Sequence, residues 1–382
     1  MTQPSTPVLP PVAEVAGTHA GAGAEIREAF SRTLARSAGG AQLVVTRNGQ
    51  TLVDVAGGSM DQDTPVQVYS VSKLLVAFAA AHAHGHGVLD LNRPLAETWP
   101  AFDRDATRTV TARMVLNHSS GINGIDRPLT TDELVAGALD EAVEQQDPRW
   151  EPGTDHGYQP FTYGALMSGV FRHGAGTTVQ DYVAEHITGP SGANFWFGAP
   201  DDVLPRVAPL TFEAPVLTEA QAADLASGRA LPDGSMVPIL QDSPGFFSDP
   251  RVIQADWPAM SGVSTARDLA AVANAVLGFG QGEALLSPDQ LEGMIAEQRH
   301  GMDRTLAHVS RYGSGVELAH GFFPYFGGRS FGHQGAGGSV VAVDPDTGLV
   351  FAYTSTHTAA TVGGSDAALT LMACTRQVVS GQ

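Results

Sequence analysis

Ser70-Val71-Ser72-Lys73 sets a hydroxyl and an amine three residues apart, a spacing that puts both on one face of a helix's first turn. Such a pair can run acyl transfer. A serine becomes a nucleophile when a base lies within hydrogen-bond reach. A lysine is such a base once burial and the positive end of a helix lower its pKa. The chain holds 20 Arg and a single Lys, which is Lys73. Arg serves wherever a generic cation suffices, so the position that keeps Lys needs what guanidinium cannot do: release a proton near neutral pH. A helix starting at Ser70 also leaves the Ser70 backbone N–H free to donate to a developing oxyanion.

Other patterns look chemical but lack context. Gly328-Arg329-Ser330-Phe331-Gly332 fits the G-x-S-x-G elbow, with Asp344 and His357 following in the α/β-hydrolase order. An elbow needs a helix after its serine, and FGHQGAGGS cannot make one. His82, His84 and His86 alternate in AHAHGHG, yet i, i+2 spacing does not share a helix face and no carboxylate or cysteine pattern accompanies them. They read as a solvated helix end, and neither a metal nor a cofactor is implied. His118 reads as a structural hydrogen-bonding histidine near a helix junction.

The elements that must position Ser70 follow from periodicity. Ile26, Phe30 and Leu34 recur at helical spacing between Glu25 and Ala38. AQLVVTRNGQTLVDVAGGS reads as two strands around Asn48-Gly49, a strong hairpin signal. A helix then starts near Ser70 and ends by Gly85–Gly87. Between about 90 and 285, TTDELVAGALDEAVEQ, FTYGALMSGVF and TARDLAAVANAVL are helical patterns between Pro/Gly loops. The segment from Glu219 to Phe247 reads as a long surface excursion. SVVAVD and LVFAYTST flank a turn at Pro345–Gly348, and a helix runs from about Asp366 to Val379. The expected fold is α/β in the α+β sense, an antiparallel sheet flanked by helices and built from both chain ends. It divides into a loose leader (1–22), a sheet domain (23–88 with 290–382) and an inserted, mostly helical domain (89–289).

With 382 residues, 43 % of them hydrophobic, the chain can bury a large core. It holds no apolar run near the ~20 residues that span a bilayer, and the N-terminus does not read as a secretory signal. Cys374 stands alone, so an internal disulfide is excluded and a reducing, cytoplasmic setting is expected. A net charge of −19 repels phosphate backbones and anionic lipid, so neither nucleic acid nor membrane is an expected partner. Nothing in the sequence sets an oligomeric state.

Five ordered strings carry a resemblance to the family VIII carboxylesterases, within the superfamily of class C β-lactamases and penicillin-binding proteins. They are SVSK, LNHSSGI (116–122), PGTDHGYQPFTYG (152–164), SGVSTARDL (261–269) and HQGAGGS (333–339). The resemblance implies a serine β-lactamase-like fold and a catalytic tyrosine at Tyr158. That phenol would relay the proton from Ser70 Oγ to the leaving alkoxide, with Lys73 as the cation that lowers its pKa. It implies a second oxyanion donor at the Ala336 N–H and substrate contacts at His333, Gln334 and Gly335, on the family's edge strand. Two departures narrow the substrate. Pro160 replaces the β-lactamase branch's asparagine, and His333-Gln334-Gly335 replaces Lys-Thr-Gly. A largely neutral imidazole anchors a carboxylate poorly, so the expected substrate is a small neutral ester. An acyltransferase, an amidase or D-aminopeptidase on the same three residues, and a catalytically silent scaffold are the alternatives.

Overall fold

Asn48 and Gly49 both adopt positive φ, 49° and 74°, the two left-handed residues that a two-residue hairpin turn demands. They join β2 (Ala41–Arg47) to β3 (Gln50–Gly57). This hairpin opens a nine-stranded sheet in the computed structural model, which describes residues 13–37, 39–127, 129–212, 249–358 and 365–381. The other strands of that sheet are β1 (Val15–His19), β8 (Arg299–Met302), β9 (Val309–Tyr312), β10 (Glu317–Leu318), β11 (Phe331–Gln334), β12 (Val340–Asp344) and β13 (Leu349–Ser355). Their order is β1-β3-β2-β13-β12-β11-β10-β9-β8, and every pairing is antiparallel. β13 pairs with β2 from Leu349↔Arg47 to Ser355↔Ala41, which joins the two chain ends. A second sheet is formed by β4 (Val66–Tyr69), β7 (Gly262–Ser264) and β5 (Phe195–Phe197), and β6 (Thr211–Phe212) pairs with β14 (His357–Thr358).

Strand alternation sends side chains to both faces, and both faces are buried. Leu43, Val45, Val53, Val55 and Phe351 pack with Ile26, Phe30, Leu371 and Met372 of the Gly23–Leu34 and Asp366–Ser380 helices. On the opposite face Val44, Val341, Val343 and Val350 meet the Ser72–Gly85 and Ala266–Val276 helices. That cluster continues without a break through Leu116, Tyr163, Leu166 and Phe171, so the sheet's inner face and the helices of the middle region share one core. The Ser72–Gly85 helix is buried on almost every face, which explains its Leu, Val, Ala and Phe content.

The structure departs from the sequence expectation in several places. Val15–His19, expected within a loose leader, is an edge strand on β3, with Val15↔Gly57 at one end and His19↔Val53 at the other. Val15 alone of its residues is buried, so hydrophobic alternation was too weak to reveal it. Residues 1–12, and the 219–247 excursion, lie outside the described residues. The TTDELVAGALDEAVEQ pattern is two helices, Thr131–Val135 and Ala138–Gln145, because Gly137 turns to φ 85° between them. β8 to β10 were not anticipated: Arg-His-Gly-Met carries no β-branched residue. Among the described residues, no helix is long and apolar enough to cross a membrane.

Candidate active site

The helix begins at Ser72, not Ser70, with Val71 as its cap. Ser70 lies on the preceding turn, tied to the helix by the Lys73 N–H on its carbonyl at 3.0 Å. Tyr69 takes φ 49°, a left-handed geometry that non-glycine residues hold only when neighbours enforce it. The enforcement is visible. The Ser72 hydroxyl donates to the Tyr69 carbonyl and accepts from the Gly262 N–H of β7 at 2.9 Å. Ser72, a second hydroxyl without an assigned role in the sequence reading, thus pins the Ser70 turn to β7.

Three predicted residues converge here. Tyr158 donates its hydroxyl proton to Ser70 Oγ at 2.8 Å, and Lys73 Nζ lies 3.1 Å from the same oxygen. Ser70 is half-buried, whereas Lys73 is fully buried and Tyr158 nearly so. Lys73 Nζ also donates to the Pro160 and Ala259 carbonyls at 3.0 and 2.9 Å. None of these partners is a carboxylate, so burial pushes the amine well below the ordinary lysine range. Burial likewise pushes the Tyr158 phenol above its usual value. The hydrogen bond to Ser70 opposes that shift, and the Glu317 and Asp303 charges add to it.

Backbone clamps hold Tyr158. The His118 carbonyl accepts from the Gly157 N–H at 3.0 Å, and His118 Nδ1 accepts from the Gln159 N–H at 3.3 Å. His118 is buried at φ 61°, and burial, reinforced by Lys73, depresses its imidazole well below the usual range. A neutral ring with an unprotonated Nδ1 suits that bond. The Tyr158 N–H itself donates to the Asp303 carboxylate at 3.0 and 3.2 Å. Gln159 turns away from Ser70, its amide on the Ile122 carbonyl at 3.1 Å.

HQGAGGS starts on β11 with His333 and Gln334 and runs on past its end; β11 is an inner strand rather than the expected edge, between β12 and β10. β10 covers only Phe331 and Gly332, because it is two residues long. The β10 ladder therefore stops short of His333, and the edge is local. A Cβ on Gly335 would sit 2.2 Å from the Val68 carbonyl oxygen and 3.3 Å from Tyr69 Cβ. Glycine lets the chain leaving β11 press on the two residues before Ser70, and the next residue, Ala336, is exposed. His333 is buried, and its Nδ1 donates to the Gln334 carbonyl at 2.8 Å. Burial pushes it down to about 4, against the pull of Glu317. Gln334 reaches Glu317 at 3.1 Å.

The weaker patterns resolve plainly. Ser330 is buried with its Oγ on the Gly327 N–H at 2.7 Å, and Asp344 binds Thr347. His82 meets the Tyr182 hydroxyl at 2.9 Å and stacks on His86 and His186. Among the described residues, no group of three or more His, Cys, Asp or Glu is placed to hold a metal. Sequence reasoning missed the Pro160 and Ala259 carbonyls, which carry no side-chain signal, and Asp303, which lies 145 residues from its Tyr158 partner.

The likeness to known proteins covers this whole assembly. A family model described as Beta-lactamase matches residues 26–373. Esterase/beta-lactamase LipL of Mycobacterium tuberculosis (strain ATCC 25618 / H37Rv) is 29 % identical over 340 residues, 83 % of this chain and 77 % of that protein. The structure of EstA from Arthrobacter nitroguajacolicus Rue61a superposes with a TM-score of 0.84 at 26 % identity, covering 95 % of this chain and 98 % of that one. A family VIII carboxylesterase shares the fold with a TM-score of 0.84 at 23 % identity, covering 96 % and 100 %. With a match that runs from the first helix to the last and takes in Ser70, Lys73 and Tyr158, the chain belongs to the beta-lactamase family.

Proposed function

We propose that this chain is a serine carboxylesterase of the family VIII type, cleaving small neutral alkyl or aryl esters through an acyl–Ser70 intermediate. One observation carries the reading: Ser70 Oγ sits between a buried amine at 3.1 Å and a buried phenol at 2.8 Å. A neutral Lys73 has two N–H groups for the Pro160 and Ala259 carbonyls and one lone pair for the Ser70 hydroxyl. Tyr158, held protonated, donates to the same oxygen. This division supports Lys73 as base and Tyr158 as acid, rather than a phenolate kept by a lysine cation.

Ser70 Oγ then attacks the ester carbonyl carbon as its proton passes to Lys73. The amides of Ser70 and Ala336 are the donors proposed for the resulting oxyanion. The C–O bond breaks as the Tyr158 hydroxyl protonates the leaving alkoxide, and Lys73 returns a proton to the phenol. Water attacks the acyl group by the reverse sequence and restores Ser70. The similarity to LipL, named as an esterase/beta-lactamase, supports ester cleavage.

Selectivity follows from what flanks Ser70. Pro160 offers only a carbonyl, which Lys73 uses. Gln159 faces Ile122, and the neutral His333 gives a carboxylate no charge to bind. The absent charge-assisted bond is worth about 1.5–3 kcal/mol. Values of kcat/KM for p-nitrophenyl butyrate should therefore exceed those for nitrocefin and benzylpenicillin by more than tenfold. Equal values would overturn the assignment to neutral esters.

A further inference from the structure

Asp303 is bonded to the Tyr158 segment without touching Ser70 or Lys73. It follows β8 directly and is fully buried. Its Oδ1 accepts from the N–H groups of Tyr158 at 3.0 Å, Thr305 at 2.8 Å and Leu306 at 2.9 Å. Its Oδ2 accepts from the Tyr158 N–H at 3.2 Å, the Ser310 hydroxyl at 3.2 Å and the Tyr312 hydroxyl at 3.3 Å. Every one of these donors is neutral. A carboxylate buried without a cation persists only where such donors converge on it.

The turn that carries Asp303 is fastened to the tyrosine segment at two further points. The Arg304 N–H donates to the His156 carbonyl at 3.1 Å. A Cβ on Gly157 would lie 2.9 Å from Thr305 Oγ1, so the two loops are in direct contact. His118 holds the Gly157 and Gln159 amides on its own side. The backbone at Tyr158 is thus gripped between His118 and Asp303, and only two side-chain torsions separate that backbone from the phenol ring.

We infer that Asp303 is a positioning residue for the reaction: its carboxylate fixes the Tyr158 backbone so that the phenol meets Ser70 in register for proton delivery to the leaving alkoxide. The inference rests on the reading of Tyr158 as the acid. It has a consequence that a plain loss of folded protein does not share. An alkyl ester needs its departing alkoxide protonated, whereas a p-nitrophenyl ester releases a stable phenolate. A displaced Tyr158 therefore slows the first far more than the second, while a smaller active fraction slows both alike.

The test measures kcat/KM, which reports acylation and leaves out the deacylation that both esters share, for ethyl butyrate and p-nitrophenyl butyrate on wild type, Asp303→Ala, Asp303→Asn and Tyr158→Phe. Asp303→Ala should lose about 100-fold on the ethyl ester, the scale of a 1 Å misplacement, and less than tenfold on the p-nitrophenyl ester. Asp303→Asn keeps the oxygen that faces three amides and should restore most of the ethyl-ester rate. If Asp303→Ala does not fold, the Ser310→Ala/Tyr312→Phe double variant strips both hydroxyls from Oδ2 and should show the same bias, several-fold in size. Equal losses on both esters, or no loss on either, would overturn the role of Asp303. If Tyr158→Phe shows the leaving-group bias and the Asp303 variants do not, only this inference falls. If Tyr158→Phe shows no bias, the assignment of Tyr158 as acid falls first and takes the inference with it.

Discussion

Replacing Lys73 with methionine separates the chemistry of the buried amine from its structural cost. Methionine is similar in length and has no proton to exchange. The Pro160 and Ala259 carbonyls, now 3.0 and 2.9 Å from Nζ, would each lose a buried donor, at a cost of about 1–3 kcal/mol apiece. Against this stands the burial that depresses the lysine's pKa in the folded enzyme. The unfolded chain holds a proton there that the folded chain gives up. Wild-type stability consequently falls as pH drops below the unfolded lysine value, until the folded amine also protonates. Each tenfold displacement of that equilibrium costs about 1.4 kcal/mol, and methionine removes the cost. The two effects oppose each other, so Lys73→Met should fold, and at pH 7 it should lose less stability than the two stranded carbonyls alone would cost. Its stability relative to wild type should decline as pH rises toward about 10. Turnover should fall about 10²–10⁴-fold, the contribution of a positioned base, and Lys73→Arg should not rescue it, since guanidinium keeps its proton. Urea denaturation at pH 7 and 9.5, with ester kinetics on the same samples, tests both halves. A methionine variant keeping more than a tenth of the turnover would remove Lys73 from the role of base. A relative stability that ignores pH would refute the account of its burial.

Three further outcomes are expected. Ser330→Ala should keep most ester turnover while losing about 1 kcal/mol of stability from the Gly327 hydrogen bond; if it were the variant that went silent, the Gly-rich elbow would be the site. His333 titrates near 4 when folded against an ordinary 6.5, so the unfolded chain binds more protons between those values and stability is lost as pH falls through that window. His333→Gln should flatten this acid loss by about 3 kcal/mol in urea titrations at pH 7 and 4, and an unchanged slope would contradict the buried neutral imidazole. Gly335→Ala places a methyl 2.2 Å from the Val68 oxygen, and should cost about 1–3 kcal/mol in melting experiments with a drop in kcat larger than the loss of folded protein explains; a wild-type kcat would show that the turn near Ser70 tolerates displacement.

The parts of this protein that were legible in its sequence are those governed by local rules. Asn48-Gly49 predicted the β2–β3 turn because only left-handed residues close it. The lone lysine singled out position 73 because a cation kept distinct from 20 arginines has a distinct task. Ordered motifs extended the reading to Tyr158 and Gly335, which the fold places beside Ser70. What stayed hidden depends on distant or backbone partners. β1 is mostly exposed and belongs to the sheet only through its pairing with β3. β10 is two residues long, and its shortness, which opens the local edge at His333, has no compositional signature. Lys73 is oriented by carbonyls that every residue possesses. Asp303 sits in a stretch of ordinary turn residues, and its importance follows only from the fold that lays it against the Tyr158 amide.

The acyl intermediate tests the central claim most directly. Enzyme mixed with p-nitrophenyl butyrate and quenched in acid within its first turnovers should carry one added butyryl group by intact mass. Peptide mapping should place that group on Ser70, and the Ser70→Ala variant should show no adduct and no turnover. An adduct on Ser330 or elsewhere, or sustained ester turnover by folded Ser70→Ala, would contradict the account.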